Sequence, residues 1–202
     1  MKRFLFLIYI FLTFSAIGYS KTLIAYFTWA ENTIVKNPSN INVDSVASAS
    51  VLSPGNTAQV AQHIQSIGGG DIFSITVTNP YPDNFKECLE RVTDERNSNI
   101  RPKLKKYLEN IDDYDVIFLG YPNWGYTSPM AVFTFLERYD FSGKIIIPFS
   151  VHGTGGLAES IDDIRKTVPR AKFLKPLSLT RSDMKNSKEY VEKWLNEIKI
   201  TK

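Results

Sequence analysis

The chain has 202 residues, 43% hydrophobic and 22% charged, with a formal net charge of +3. That balance excludes a disordered or fibrous polypeptide. The absence of any block of basic residues argues against nucleic acid as a partner, and a single cysteine, Cys88, rules out an internal disulfide.

The first twenty residues read as a secretory leader. Lys2 and Arg3 precede an apolar run from Phe4 to Ile17, interrupted only by Thr13 and Ser15, and Gly18-Tyr19-Ser20 puts small residues at the −3 and −1 positions of a cleavage site. A run of that length spans roughly 21 Å as a helix, short of a bilayer core of about 30 Å. Cleavage after Ser20 is therefore expected. It leaves one domain over 21–202, exported to the periplasm or beyond, with no membrane contact. Without Lys2 and Arg3 the remainder holds 22 basic and 21 acidic side chains, a balance of +1.

Short apolar runs then alternate with helical periodicity. A strand over Thr22–Phe27 is followed by a 24-residue stretch, Glu31 to Pro54, rich in Asn, Ser, Val and Ala and broken by Pro38. Loops this long inside a compact domain are uncommon and usually functional. Val60, Ala61, Ile64 and Ile67 mark a first helix, stopped by Gly68-Gly69-Gly70. A second strand covers Asp71–Val77. Phe85, Cys88, Leu89 and Val92 follow i, i+3, i+4, i+7, the stripe of a second helix.

The third strand, Asp115–Gly120, and the fourth, Lys144–Ser150, are continuous apolar runs, the mark of strands covered on both faces. Between them Ser128-Pro129 reads as an N-cap and N1 proline for a helix ending at Tyr139. Leu157, Ile161, Ile164 and Val168 mark the fourth helix. A weaker pair, Ala171–Leu174 and Leu177–Thr180, makes a fifth strand. Asn186 with Glu189 forms a capping pair ahead of Tyr190, Val191, Trp194, Leu195 and Ile198. The order is β-α-β-α-β-α-β-α-β, which implies parallel strands, right-handed crossovers and helices on both faces of one sheet.

In such a sheet, ligands sit beyond the carboxyl ends of strands. After the first strand come Thr28, Trp29 and Ala30, and later Asn56 and Thr57 open the first helix, where hydroxyls and free N–H groups suit a phosphate. Asn32-Thr33 competes with Asn56-Thr57 for that role. The alternative is that Ser53 or Asn56 only caps the helix. After the third strand, Pro122, Asn123, Trp124, Gly125 and Tyr126 offer aromatic surface for a flat ligand. After the fourth, Ser150, His152, Gly153 and Gly156 let a ligand approach the backbone. Gly153-x-Gly155-x-x-Ala158 is only a loose dinucleotide fingerprint, with no acidic residue placed to hold a ribose. No nucleophile elbow, P-loop, C-x-x-C or H-E-x-x-H occurs. His63 reads as a helix-surface residue and Cys88 as a packed thiol.

These residues resemble the flavodoxin-like family of FMN-binding proteins over nearly all of 22–199. The carrying stretches are Leu23 to Ala30, Gly55-Asn56-Thr57, Asp113 to Trp124 and Ile146 to Phe149. The resemblance implies a three-layer α/β sandwich with a five-stranded parallel sheet in the order 2-1-3-4-5 and FMN at the switch point, flavodoxin being the standard example of that order. It implies Thr28, Trp29, Ala30, Asn56 and Thr57 at the phosphate. Pro122, Asn123, Trp124 and Gly125 would lie on one side of the isoalloxazine, and Ser150, His152, Gly153 and Gly156 on the other. Two departures stand out. The 31–54 insertion splits the phosphate loop, and Trp124-Gly125-Tyr126 replaces the frequent Trp-Trp-Gly, which leaves the stacking ring open between Trp124 and Tyr126.

The implied function is electron transfer, or reduction of a small quinone-like molecule, through bound FMN. The protein or small-molecule donor and acceptor are not specified. Near-neutral charge speaks against electrostatic steering to a basic partner. With no twin arginine in the leader, FMN would be captured after translocation. The alternative is a flavodoxin-shaped module that does without flavin and uses the 31–54 loop as a ligand or partner surface. Tyr126 and His152 are the only acid–base candidates.

Overall fold

A computed structural model describes residues 21–38, 41, 51–153 and 155–199. The expected leader, residues 1–20, and residues 39, 40 and 42–50 of the 31–54 insertion lie outside the described residues. The strands are β1 (Thr22–Tyr26), β2 (Asp71–Ser74), β3 (Val116–Pro122), β4 (Ile145–His152), β5 (Lys172–Phe173) and β6 (Leu177–Thr180). The helices are α1 (Asn56–Gly68), α2 (Phe85–Asn97), α3 (Met130–Arg138), α4 (Ser160–Thr167) and α5 (Ser187–Glu197).

All pairings between these strands are parallel, in the order β2-β1-β3-β4-β5, with β6 also paired to β4. The expected order 2-1-3-4-5 is therefore the observed one, with its fifth position shared by two short strands. Lys172 and Phe173 pair the first half of β4, and Leu177 to Thr180 pair its second half. Pro176, which has no N–H to donate, lies between them.

Alternation along each strand builds two apolar layers. Leu23, Ala25, Phe27, Ile117, Leu119, Tyr121 and Ile146 face α2, α3 and α4. Ile24, Tyr26, Phe118, Ile147, Phe149 and Val151 face α1 and α5. Burying each large side chain contributes roughly 1.5–3 kcal/mol. Gly120 lies where β3 passes the Phe149 ring so closely that a Cβ would overlap it.

The structure departs from the expected elements in four places. β2 stops at Ser74, although Ile75 and Val77 remain buried: the chain leaves the sheet while its apolar pattern continues into the core. On α2, Phe85 is 50% and Leu89 44% exposed, while Cys88, Val92 and Glu95 face inward. The helix is thus rotated away from its most apolar stripe, because Glu95 is drawn inward by Tyr81 and Arg91. α3 begins at Met130 with Pro129 at the cap, and the Ser128 hydroxyl caps nothing. Asn186 makes no capping bond to α5; instead Thr180 and Asp183 form a capping box one turn of chain earlier, on the 3-10 helix Arg181–Asn186. Helix α2, for which the sequence reading named no cap, is capped by Asn84, which accepts from the N–H groups of Lys86 and Glu87.

Candidate functional site

The carboxyl ends of β1, β3 and β4 open onto one rim, and the loops that leave them touch. The first junction lies between β1 and α1. Gly55, at φ 76°, is the N-cap of α1, and a Cβ there would overlap the Thr28 hydroxyl and press on Ala30. Thr28, Ala30, Gly55, Asn56 and Thr57 therefore form one cradle, although 24 residues of insertion separate its halves in sequence. Gly55 has no side chain to accept from the first-turn N–H groups of α1. The positive end of this 13-residue helix receives no side-chain cap and has no acidic residue in its first turn.

Asn32-Thr33 plays a different part. Asn32 is 2% exposed, donates to the carbonyls of Thr28 (2.9 Å) and Ile75 (3.0 Å), and accepts from the N–H of Val77 at 2.8 Å. Its own carbonyl accepts from Tyr81 N–H, and the Thr33 hydroxyl donates to the Tyr81 carbonyl at 2.7 Å. These groups stitch the end of β1 to the segment after β2 and leave nothing over for a ligand.

The loop after β3 is a two-residue hairpin turn. Trp124 and Thr127 exchange backbone bonds, and Gly125 (φ 60°) and Tyr126 (φ 68°) both lie at positive φ, the type I′ pattern. The two aromatics that competed for stacking part company here. Trp124 turns inward to meet Phe27, Trp29 and Tyr81 edge-on, with centroids 5.2–5.8 Å away. Tyr126 stands at the tip, 68% exposed. Trp29 is likewise buried, its indole N–H donating to the Pro82 carbonyl at 3.0 Å, so only its backbone faces the rim.

Two clasps hold the loops together. The Asn123 amide donates to the Gly156 carbonyl at 2.7 Å, binding the loop after β3 to the loop after β4. Arg96, from the end of α2, donates to the Gly125 carbonyl and pairs with Glu159 at 2.7 Å, while Glu159 N–H donates to the Tyr126 carbonyl at 3.0 Å. The turn's carbonyls are thus taken by protein. Beneath the Trp124 ring, Tyr81 donates to Glu95 at 2.7 Å and lies under the Arg91 guanidinium. Burial, with Glu95 beside it, drives the Tyr81 hydroxyl far above its ordinary pKa.

Pro122 is buried as the last residue of β3. Ser150 is buried on β4 with its hydroxyl unpartnered. His152 is committed: its Nε2 lies 2.8 Å from the Ser178 hydroxyl and its Nδ1 3.1 Å from the Gly153 carbonyl. This leaves it poorly placed for proton transfer to a ligand. Cys88 is buried, its thiol pushed up to about 12 by desolvation, and is inert. Among the described residues no cluster suits a metal ion, and no helix is long and apolar enough to cross a membrane.

The features fit a flat molecule with a phosphate tail: an uncapped helix start closed on a hydroxyl, an exposed ring on a braced turn, and an orphan hydroxyl on β4. Sequence reasoning missed Arg96, Glu159, Tyr81 and Glu95. Arg96 reaches Gly125 across 29 positions and Glu159 across 63, Tyr81 reaches Glu95 across 14, and no local pattern announces these pairs.

The model of the flavodoxin family matches residues 45–198. No curated protein matches the chain. Among solved structures, a protein assigned as a flavoprotein from Bacteroides eggerthii is 27% identical with a TM-score of 0.66, covering 90% of this chain and 99% of its own. One from Bacteroides uniformis is 24% identical with a TM-score of 0.64, covering 86% and 98%. A flavoprotein from Lactobacillus acidophilus, solved in complex with FMN, is 21% identical with a TM-score of 0.59, covering 87% and 99%.

Proposed function

The chain belongs to the flavodoxin family, and on that premise we propose that it binds FMN at the three-loop rim and passes electrons through it. The counterpart is a small quinone-like acceptor or a protein. The observation that carries this reading is the cradle in which Gly55 closes on Thr28 at the uncapped start of α1. Thr28, Ala30, Asn56 and Thr57 hold the phosphate, by hydroxyls and by N–H groups at the positive end of the helix. Tyr126 lies over the ring from the turn tip. Trp124, locked among three other aromatics, braces the turn from below. Asn123, Ser150, Gly153 and Gly156 shape the opposite wall. Bound FMN supplies the redox chemistry, and the protein supplies its position and surroundings. We further propose that the protein works after export; an N-terminus at Lys21 on protein taken from its own compartment would support this.

A thermal-shift titration tests the binding. FMN at a hundredfold excess over its Kd stabilises a folded protein by about 2.7 kcal/mol, or roughly 5–10 °C for a chain of this size. The double change Asn56→Ala, Thr57→Ala should abolish most of that shift and leave the flavin-free Tm nearly unchanged. Asn32→Ala should do the reverse, costing about 2–4 kcal/mol of stability through orphaned buried groups. No shift with FMN, together with purified protein that is colourless, would overturn the proposal.

A further inference from the structure

Every backbone carbonyl of the 124–127 turn is taken by protein. Those of Trp124 and Thr127 accept from each other's N–H groups, that of Gly125 accepts from Arg96, and that of Tyr126 from the Glu159 N–H. The N–H groups of Gly125 and Tyr126 have no protein partner among the described residues. To a ligand, the backbone of the turn therefore offers donors and no acceptor.

Arg96 fixes this polarity. A trans peptide carries its C=O and N–H on opposite sides, so the bond from Arg96 to the Gly125 carbonyl turns the Tyr126 N–H away from α2. The local sequence prefers the reverse. Glycine at the first central position suits a type II′ turn, in which the second central residue returns to negative φ. Rotating the Gly125–Tyr126 peptide would make that change. It would relieve Tyr126 of its φ of 68° and bring the carbonyl round to the side now held by the N–H. Arg96 opposes the rotation from 29 positions away in sequence. One guanidinium nitrogen holds Gly125 and another pairs with Glu159 at 2.7 Å, while the arginine stem would meet a Cβ on Gly125 at 3.9 Å. Glu159 completes the brace by donating its own N–H to the Tyr126 carbonyl.

We infer that Arg96 is a positioning residue that locks the turn as a donor-only edge, so that the site favours oxidised over reduced flavin. This rests on the FMN reading above and adds the redox state the site prefers. An oxidised flavin has a ring nitrogen that accepts a hydrogen bond, and uptake of electrons and a proton makes that atom a donor. The locked turn has no free carbonyl to meet such a donor, and two donors face to face leave a hydrogen bond unmade on each side.

The midpoint potential of bound FMN, with Kd values for its oxidised and reduced forms, tests the assignment. Arg96→Met keeps the stem and removes the donor. It should tighten the reduced form about tenfold relative to the oxidised form, a rise of about 30 mV for the two-electron couple. Loss of a positive charge by itself disfavours the more negative, reduced form and would lower the potential, so the sign separates the lock from simple electrostatics. Arg96→Lys, which can still donate to the carbonyl, should stay near wild type. The pair with Glu159 is largely exposed, so the flavin-free Tm of Arg96→Met should lie close to that of wild type. An unchanged or lower potential in Arg96→Met would overturn the inference and leave FMN binding standing, as would an equal rise in Arg96→Lys. Wild-type protein that binds FMN in neither redox state would bring down the FMN reading and this inference with it.

Discussion

Tyr126 shows most plainly how a single residue departs from its local preference. Residues other than glycine pay roughly 1–2 kcal/mol to adopt left-handed backbone, and Tyr126 does so with its side chain in solvent. Arg96, Glu159 and Thr127 hold the turn in that form. Strain that the surroundings maintain, with no packing in return, points to a role for the ring. Tyr126→Gly should raise the flavin-free Tm by the equivalent of about 0.5–1 kcal/mol, and should weaken flavin binding and restore flavin fluorescence. Heat denaturation and a fluorescence titration read the two effects separately; a lower Tm with unchanged binding would remove Tyr126 from the site. At this scale the sequence was partly legible. Residues 122–126 stood out by composition, but which ring turns inward depends on Phe27, Trp29 and Tyr81, which come from other parts of the chain. The same holds for the Asn-Thr pairs. Their spellings are identical, and only the carbonyls of Thr28 and Ile75 mark Asn32 as internal.

Among the elements, apolar runs and start signals announced the strands and the five α-helices, while the 3-10 helix at Arg181–Asn186 went unread and the ends were harder to read. The stripe Phe85, Cys88, Leu89, Val92 identified α2 but not its rotation, since a buried Glu95 outweighs an apolar pattern when Tyr81 and Arg91 are there to receive it. Caps were misassigned for a similar reason: Asn186 has the right chemistry, yet the chain is already turning at Thr180. The Thr180–Asp183 box makes a pH-dependent prediction. Bonds from the Thr180 hydroxyl and N–H hold the Asp183 carboxyl below its ordinary pKa. A group depressed in the folded state adds stability above its unfolded pKa, near 3.9 for aspartate, and loses it as pH falls through the lower folded value. Asp183→Ala should therefore cost about 1 kcal/mol at neutral pH, and its gap from wild type should close below about pH 4. Urea titrations at pH 7 and pH 3 measure both gaps; an unchanged gap at pH 3 would mean that the carboxyl acts without its charge.

For the molecule as a whole, alternation of strand and helix was enough to reach the layered parallel sheet, and the family resemblance added the strand order that the pairings bear out. Charge is the other property of the whole chain. With 22 basic and 21 acidic side chains outside the first twenty residues, long-range steering has little net field to work with. Reduction of a protein partner should change less than about twofold in rate between 50 and 500 mM salt, a stopped-flow measurement; a steep fall would reveal a local charged patch that the totals hide.

The split cradle carries a consequence for how such a chain can diversify. Asn32 and Thr33 pin the opening residues of the insertion to the segment after β2, and Gly55 meets Thr28 after it ends. The interval is bracketed by two fixed points that do not rely on its length. Foreign sequence of different size could be spliced in between them with the anion cradle intact, which makes this a graft point for new recognition on an old scaffold.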